Sequence, residues 1–183
     1  TGTWEKFNQS DVSLTSAYTS TSTSADALRV RAGNLLLSGG GSVTLGAGAQ
    51  VGIGFSTVYQ VGRFHDTSGA AIVLDNTATN NLDRISDRQV NFAQRGLLEL
   101  RGNASAASSE TLGILNANGP GMKLRVDSGS GQSARLTFAS LQVNNAVGNT
   151  TDTNGNPVLV QYAVPSGDTL GTAGTTGGRV IFT

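Results

Sequence analysis

Hydrophobic and polar residues alternate in many short runs along this chain. Alternation with a period of two residues is typical of β-strands that bury one face. We therefore predict strands of three to seven residues at positions 12–14, 27–30, 35–37, 43–45, 51–53, 58–61, 71–74, 90–92, 97–100, 111–115, 122–126, 134–138, 141–143, 158–164 and 179–182. Residues 1–7 have a similar pattern.

Turn-forming residues separate these runs. Clusters rich in Gly, Asn, Asp, Ser and Pro occur at residues 33–34, 39–41, 46–48, 118–120, 127–129 and 154–155, and we interpret them as turns between strands. No segment carries an apolar stripe over three helical turns. Residues 82–89 and 105–115 are each expected to form one or two helical turns at most.

Three strand triplets and the low aromatic content together indicate the architecture. Residues 35–37, 43–45 and 51–53 start eight residues apart and are separated by small residues. Closely spaced short strands are compatible with a sandwich, a closed barrel or a solenoid. Only 5% of the residues are aromatic, which favours the narrow aliphatic core of a solenoid. We predict an all-β, right-handed parallel β-solenoid with open-ended coils of roughly 20 to 25 residues. Its inward side chains are predicted to be Leu35, Leu37, Val43, Leu45, Val51 and Ile53.

The composition excludes several classes of protein. The 183 residues include no Cys and 25 Gly, and 12 Lys and Arg balance 12 Asp and Glu. A disulfide scaffold and a thiolate metal site need cysteines. Zero net charge does not suit a nucleic-acid partner. No apolar run reaches the roughly 18 residues of a transmembrane helix, so we expect no membrane insertion of this segment. Aliphatic residues gathered in alternating runs argue against disorder.

One long stretch resembles a known family. Asp83-Arg84-Ile85-Ser86-Asp87, Leu98-Glu99-Leu100, Gly102-Asn103-Ala104-Ser105-Ala106 and Ser109-Glu110-Thr111-Leu112-Gly113 are similar to the autotransporter-associated β-strand repeats of long bacterial surface proteins, and residues 167–171 and 179–183 are similar to the close of such units. The family occurs in Gram-negative and in verrucomicrobial or planctomycete-like bacteria. The resemblance implies an exported β-solenoid that serves as a stalk, passenger or fibre.

The strand-like ends suggest self-association. We expect residues 1–183 to be a single β-solenoid unit, or one repeat of a longer array. The unpaired backbone groups of an open coil can accept a neighbour. We therefore expect end-to-end contacts through Thr1, Trp4, Val180 and Phe182, with an extracellular or cell-surface location. The alternative is an adhesive passenger that binds or cleaves surface polysaccharides.

Three constellations could carry chemistry, and each has a simpler structural interpretation. His65, Asp75 and Ser128 have the residue types of a catalytic triad, but residues 127–131 fit a turn better. Asp83 and Asp87 with Arg84 and Arg88 could serve a glycan-cleaving site, but ion pairs that brace a turn are favoured. Asp152, Asn154 and Asn156 resemble half of a calcium loop, although a plain Asn-Gly turn explains them equally well. We therefore expect no enzyme activity, no cofactor and no metal.

Overall fold

The computed structural model describes residues 3–25, 27–54, 69–92, 95–118, 121–143, 160–163 and 177–183. Fifteen β-strands and no helix occur in these residues, so the predicted all-β class is confirmed. The strands are β1 (Trp4–Lys6), β2 (Val12–Leu14), β3 (Ala17–Ser20), β4 (Leu28–Val30), β5 (Gly33–Leu37), β6 (Ser42–Leu45), β7 (Gln50–Ile53), β8 (Ala70–Asp75), β9 (Gln89–Phe92), β10 (Gly96–Arg101), β11 (Ser108–Ala117), β12 (Met122–Asp127), β13 (Ser133–Val143), β14 (Val160–Ala163) and β15 (Gly177–Phe182).

The strands form three parallel sheets. Sheet A has the order β1-β4-β7-β9-β11-β13-β15, and sheet B has the order β14-β12-β10-β8-β5-β2. Sheet C consists of β3 and β6, and a single parallel bridge joins Val43 of β6 to Ile85. Neither large sheet closes on itself, because sheet A ends on β1 and β15 and sheet B ends on β14 and β2.

The chain visits the sheets in a repeating order. β1, β2 and β3 lie in sheets A, B and C, and β4, β5 and β6 repeat that order. Each strand pairs with its counterpart in the next set, as in the pairs Trp4 with Leu28, Val12 with Leu35, and Ala17 with Ser42. Such parallel neighbours need a connection that returns the chain to the same edge, and here the strands of the other sheets supply it.

Two strands, β11 and β13, are long, and the first and last parts of each have different pairing partners. The first part of β11 pairs with β13 from Ser108 to Leu112, and its last part, from Leu115 to Ala117, pairs with both β9 and β13. The register omits Gly113, and a Cβ there would lie 2.9 Å from the carbonyl carbon of Arg88. A glycine is therefore needed where β11 passes this corner.

The core is a narrow column of aliphatic side chains. Alternate residues of each strand point inward, and residues paired in register stack on one another. All six side chains predicted to point inward are buried, and their triplets lie in three different sheets as β5, β6 and β7.

Several sequence predictions need correction. Residues 134–138 and 141–143 form one strand, β13, instead of two. β3 was missed, because Ala17-Tyr18-Thr19-Ser20 lacks an apolar alternation. Residues 105–115 form no helical turn, since β11 begins at Ser108, and residues 82–89 contain only a bridge at Ile85 before β9. The strand predicted at 58–61 lies outside the described residues.

The described part of the chain holds no helix with the length and apolarity needed to cross a bilayer.

Candidate functional site

The inward side chains form rows that run from one end of the stack to the other. We call the set Trp4, Leu28, Val51, Val90, Leu115 and Leu141 the Trp4 row, because these residues pair in register across sheet A. The Val12 row is its counterpart in sheet B, formed by Val12, Leu35, Ile72, Leu98, Leu124 and Tyr162. The four central members of each row are at most 2% exposed.

The N-terminal end of the stack leaves the core open. A cavity lies there, lined by Trp4, Val12, Leu14, Tyr18, Leu28, Leu35 and Val43. Leu28, Leu35 and Val43 are buried members of the second set of strands, whereas the first four residues belong to β1, β2 and β3 and remain partly exposed. The first strands therefore expose apolar surface that has no strand above it among the described residues.

The C-terminal end has the same character. Leu141 and Tyr162 close their rows but remain 39% and 40% exposed, respectively. Val143 follows the buried Ala117 in register, and Phe182 follows the buried Phe138, against which its ring stacks with centroids 5.6 Å apart. Among the described residues, five of the seven large hydrophobic side chains with high exposure are Tyr18, Leu141, Val143, Tyr162 and Phe182. Among the described residues, exposed large apolar side chains are thus concentrated in the first and last strands of the stack.

Charge also differs between the two ends. Among the described residues, β12, β13 and β15 carry Lys123, Arg125, Arg135 and Arg179 against the single acid Asp127. At the other end, Glu5 and Lys6 lie in β1 and Asp11 directly precedes β2, and Glu5 is paired with Arg29 and Arg31. Lys6 is buried, and its ammonium group donates to the carbonyl oxygens of Asn8 and Ala32, 2.5 and 2.7 Å away. Burial lowers the pKa of Lys6, and Asp11 opposes that shift.

A buried polar cluster lies between the corners of the stack. Arg84 is fully buried, and its guanidinium group donates to Asn76 Oδ1 and to the carbonyl oxygens of Gly39, Gly41 and Thr79, at 2.5 to 3.2 Å. A guanidinium group has five N–H donors in a planar fork, so one side chain can bind several carbonyl groups at once. Arg84 thereby ties the corner at residues 39–41 to the loop at 76–84.

Glu110 lies directly beside this arginine. Its carboxylate oxygens accept the backbone N–H groups of Arg84 and Ile85 at 2.9 and 2.7 Å. The side chain is fully buried, and burial raises its pKa to about 8, while the two N–H donors and Arg84 oppose that rise. Burial likewise lowers the pKa of Arg84, opposed by Asp75 and Glu110. The carboxyl group completes the hydrogen bonding of a backbone segment that makes only one ladder bridge.

Asparagine side chains link the same loop to the next one. Asn103 donates to the carbonyl oxygens of Asn76 and Thr77, and its own Oδ1 accepts the N–H groups of Ser105 and Ala106. Asn amides often satisfy backbone groups of turns in this way. These contacts give the cluster a structural role.

The structure does not assemble the predicted triad. Asp75 accepts hydrogen bonds from Thr77 and lies 3.9 Å from Arg101, and the Ser128 hydroxyl donates to the Gly129 carbonyl. Asp127 Oδ1 accepts the Gly129 N–H, so the turn predicted at 127–131 is confirmed. His65 lies outside the described residues.

The predicted pairing of Asp83 and Asp87 with the neighbouring arginines is wrong for Arg84. That side chain turns inward to the cluster, whereas Asp83 and Asp87 are exposed. The physical reason is that the corner carbonyls of Gly39 and Gly41 need donors once they are covered.

The residues of the predicted half calcium loop fall in a part of the chain that the structure does not describe. Asp152, Asn154 and Asn156 lie outside the described residues, as does Thr1 at the N-terminus. No group of three or more His, Asp or Glu residues capable of holding a metal ion occurs in the described ranges.

Sequence reasoning missed the partnership of Arg84 with Glu110. One signal was present, because Arg84 and Glu110 are 26 positions apart, the same offset at which Leu97 pairs with Lys123 and Ser108 with Ala134. Two charged residues one pairing interval apart are candidates for contact.

Comparison of the chain with protein-family models, with curated proteins and with solved structures gives no match. The resemblance to autotransporter-associated repeats therefore stays a prediction.

Proposed function

We propose that this chain is a structural unit of a right-handed parallel β-solenoid, which builds a rod or fibre outside the bacterial cell by stacking end to end. The solenoid architecture and the end-to-end assembly are supported by different observations.

The repeating strand order supports the solenoid. Up to β8 the strands return to the same sheet at every third position, and from there to β15 at every second position, and each lies parallel to its predecessor in that sheet. In this repeating order, the first halves of β11 and β13 take the place of sheet C strands, and their second halves take the place of sheet A strands. A chain that winds through three faces produces this pattern, and right-handed connections are the rule between parallel strands. Sheet B has six strands, which corresponds to a rod about 29 Å long at about 4.8 Å per strand.

The exposed row ends carry the assembly part of the proposal. The Trp4 row is buried in the middle, half-buried at Trp4 and exposed at Leu141. Edge strands with unpaired backbone groups and adjacent apolar side chains are sites for strand addition. A second copy offers both the missing strands and the missing row members. The same surface would otherwise promote nonspecific aggregation.

The composition supports a location outside the cell. A chain without cysteine is insensitive to an oxidising environment, and its zero net charge creates no general repulsion between copies. The lining of the N-terminal cavity contains no carboxylate, so we retain the structural role over a glycan-cleaving one.

Sedimentation velocity over a concentration series, combined with negative-stain microscopy, tests the assembly. We expect oligomers that lengthen with concentration and appear as thin rods. Leu141→Ser removes one row end and is expected to weaken association at least about tenfold, the equivalent of about 1.4 kcal/mol.

Leu82→Ser is the matched control. Leu82 is 54% exposed but lies outside the rows, so its loss is expected to leave association unchanged. Circular dichroism verifies that both variants fold. A parent chain that remains monomeric at high concentration would overturn the proposed assembly, and so would equal effects of the two substitutions.

A further inference from the structure

We infer that two copies join head to tail in one register, with β14 of one copy on β2 of the next and β15 on β3. This inference rests on the proposed stacking and specifies its geometry. It follows from the rows, the strand order and the charges of the two ends.

The rows of sheets A and B set the register on two faces. Leu141 is the last member of the Trp4 row, and its next position in register is Trp4 of another copy. Tyr162 is the last member of the Val12 row, and its next position is Val12 of that copy. The same register continues both rows, so one orientation of the two copies makes both contacts.

The third face brings β15 onto β3. At the start of this face, Tyr18 pairs in register with Val43, and Val43 with Ile85. At its end, Glu110 pairs in register with Leu136, and Leu136 with Val180. The two halves meet where Glu110 accepts the N–H group of Ile85. Val180 therefore continues onto Tyr18 of the next copy. Tyr18 is 37% exposed and lines the N-terminal cavity, so it has room for a neighbour.

The charges select head-to-tail over symmetric contacts. The C-terminal strands are basic through Lys123, Arg125, Arg135 and Arg179. At the N-terminal end the exposed acid is Asp11, directly before β2, whereas Glu5 of β1 is half-buried and already paired with Arg29 and Arg31. Head-to-tail stacking brings opposite charges together, whereas tail-to-tail stacking would place like charges together. A heterologous contact of this kind repeats without closing and generates a filament.

Engineered disulfides test the register, and the chain lends itself to them because it has no cysteine. Gln161 pairs with Lys123 at the last strand of sheet B. Asp11 precedes β2 at the first strand, where its Oδ1 accepts a hydrogen bond from Asn34. The proposed register brings Gln161 next to Asp11 of the following copy. Within one copy these positions lie at opposite ends of sheet B, about 24 Å apart, beyond the reach of a disulfide.

The double variant Gln161→Cys with Asp11→Cys is oxidised and separated on a non-reducing gel. We expect a ladder of covalent oligomers that disappears on reduction. The matched control pairs Gln161→Cys with Thr19→Cys, since Thr19 is also exposed but lies on a different face of the first strands. It is expected to give at least about tenfold less cross-linked product, because its sulfurs cannot meet the disulfide distance.

The outcomes separate the register from the proposed function. If the parent chain forms rods but the control pair cross-links as well as the matched pair, or neither pair cross-links, the register is wrong and the stacking stands. If the parent chain is monomeric, both the register and the stacking fail. Raising the salt concentration is expected to reduce the rate of cross-linking by the matched pair, and a rate independent of salt would contradict the charge argument.

Discussion

Arg84 and Glu110 occupy one buried site, in which the arginine side chain binds the corner carbonyls while the glutamate carboxylate binds the arginine's own backbone N–H group. The two residues thus stabilise the same segment from opposite sides. Replacing one partner would leave buried polar groups without hydrogen bonds, which costs more free energy than an exposed ion pair contributes.

Glu110→Gln is expected to change how stability depends on pH. Burial raises the pKa of Glu110 to about 8, whereas the ordinary value in the unfolded chain is 4.5. The folded state therefore binds the proton more tightly than the unfolded state does. The stabilisation is fully present below pH 4.5 and is lost as the pH rises to about 8, with a slope of at most about 1.4 kcal/mol per pH unit. Urea unfolding at several pH values measures this slope.

The glutamine variant lacks the titrating group, so its unfolding free energy is expected to decrease less between pH 5 and about pH 8 than that of the parent chain. The same decrease in both proteins would mean that Glu110 does not titrate in this range. The comparison depends on slopes, and it holds even if the variant is less stable throughout.

Arg84→Lys is expected to destabilise the fold by about 2 to 4 kcal/mol, because an ammonium group cannot bind Asn76, Gly39, Gly41 and Thr79 at once. Asp83→Asn is the matched control, since Asp83 is exposed beside it. Its effect is expected to stay within about 0.5 kcal/mol. Chemical denaturation measures the free energy of unfolding of both variants. An Arg84→Lys variant as stable as the parent chain would show that the guanidinium contacts contribute little.

The alternation of apolar residues predicted most of the central strands and their inward faces. Val43 and Val51 are buried, and their neighbours in sequence are small or polar, so the period-two pattern is unambiguous there. Leu35-Leu36-Leu37 has no such alternation in sequence, yet Leu35 and Leu37 are buried while Leu36 is half-buried. β3 has no such pattern, since Thr19 and Ser20 are polar. It forms a strand because it pairs with β6, and the local preferences of its residues do not predict pairing with a distant segment.

The buried cluster was harder to predict than the strands. Charged residues are almost never fully buried unless they are paired, so Arg84 looked like part of a solvated turn. Its partners lie 5 to 45 residues away in sequence, and only the stacking of successive corners brings them together. The row ends were predictable in part, because Trp4, Val180 and Phe182 lie in the terminal strands, whereas the exposure of Leu141 and Tyr162 follows from where the stack ends.

Gly41→Ala is expected to disrupt the corner between β5 and β6. A Cβ at residue 41 would lie 1.8 Å from the Leu14 carbonyl oxygen, and the backbone would have to shift. We expect a loss of more than about 2 kcal/mol. Gly40→Ala is the control, because its Cβ would lie 3.2 Å from the Thr15 oxygen, a contact that a small adjustment relieves. Thermal denaturation distinguishes them, and equal melting temperatures would contradict the close approach of β2.

Asn103→Ala is expected to loosen the two loops that Asn103 joins. The side chain makes four hydrogen bonds, two as donor to Asn76 and Thr77 and two as acceptor from Ser105 and Ala106. Their loss is expected to cost about 1 to 3 kcal/mol. Asn103→Asp keeps the acceptor but removes the donor, so about half of that loss is expected.

Asn34→Ala is the control, because Asn34 is exposed and its amide donates to Asp11. This substitution is expected to cost less than about 0.5 kcal/mol. Urea denaturation ranks the three variants, and an Asn103→Asp variant as unstable as Asn103→Ala would show that the donor to the neighbouring loop carries the whole effect.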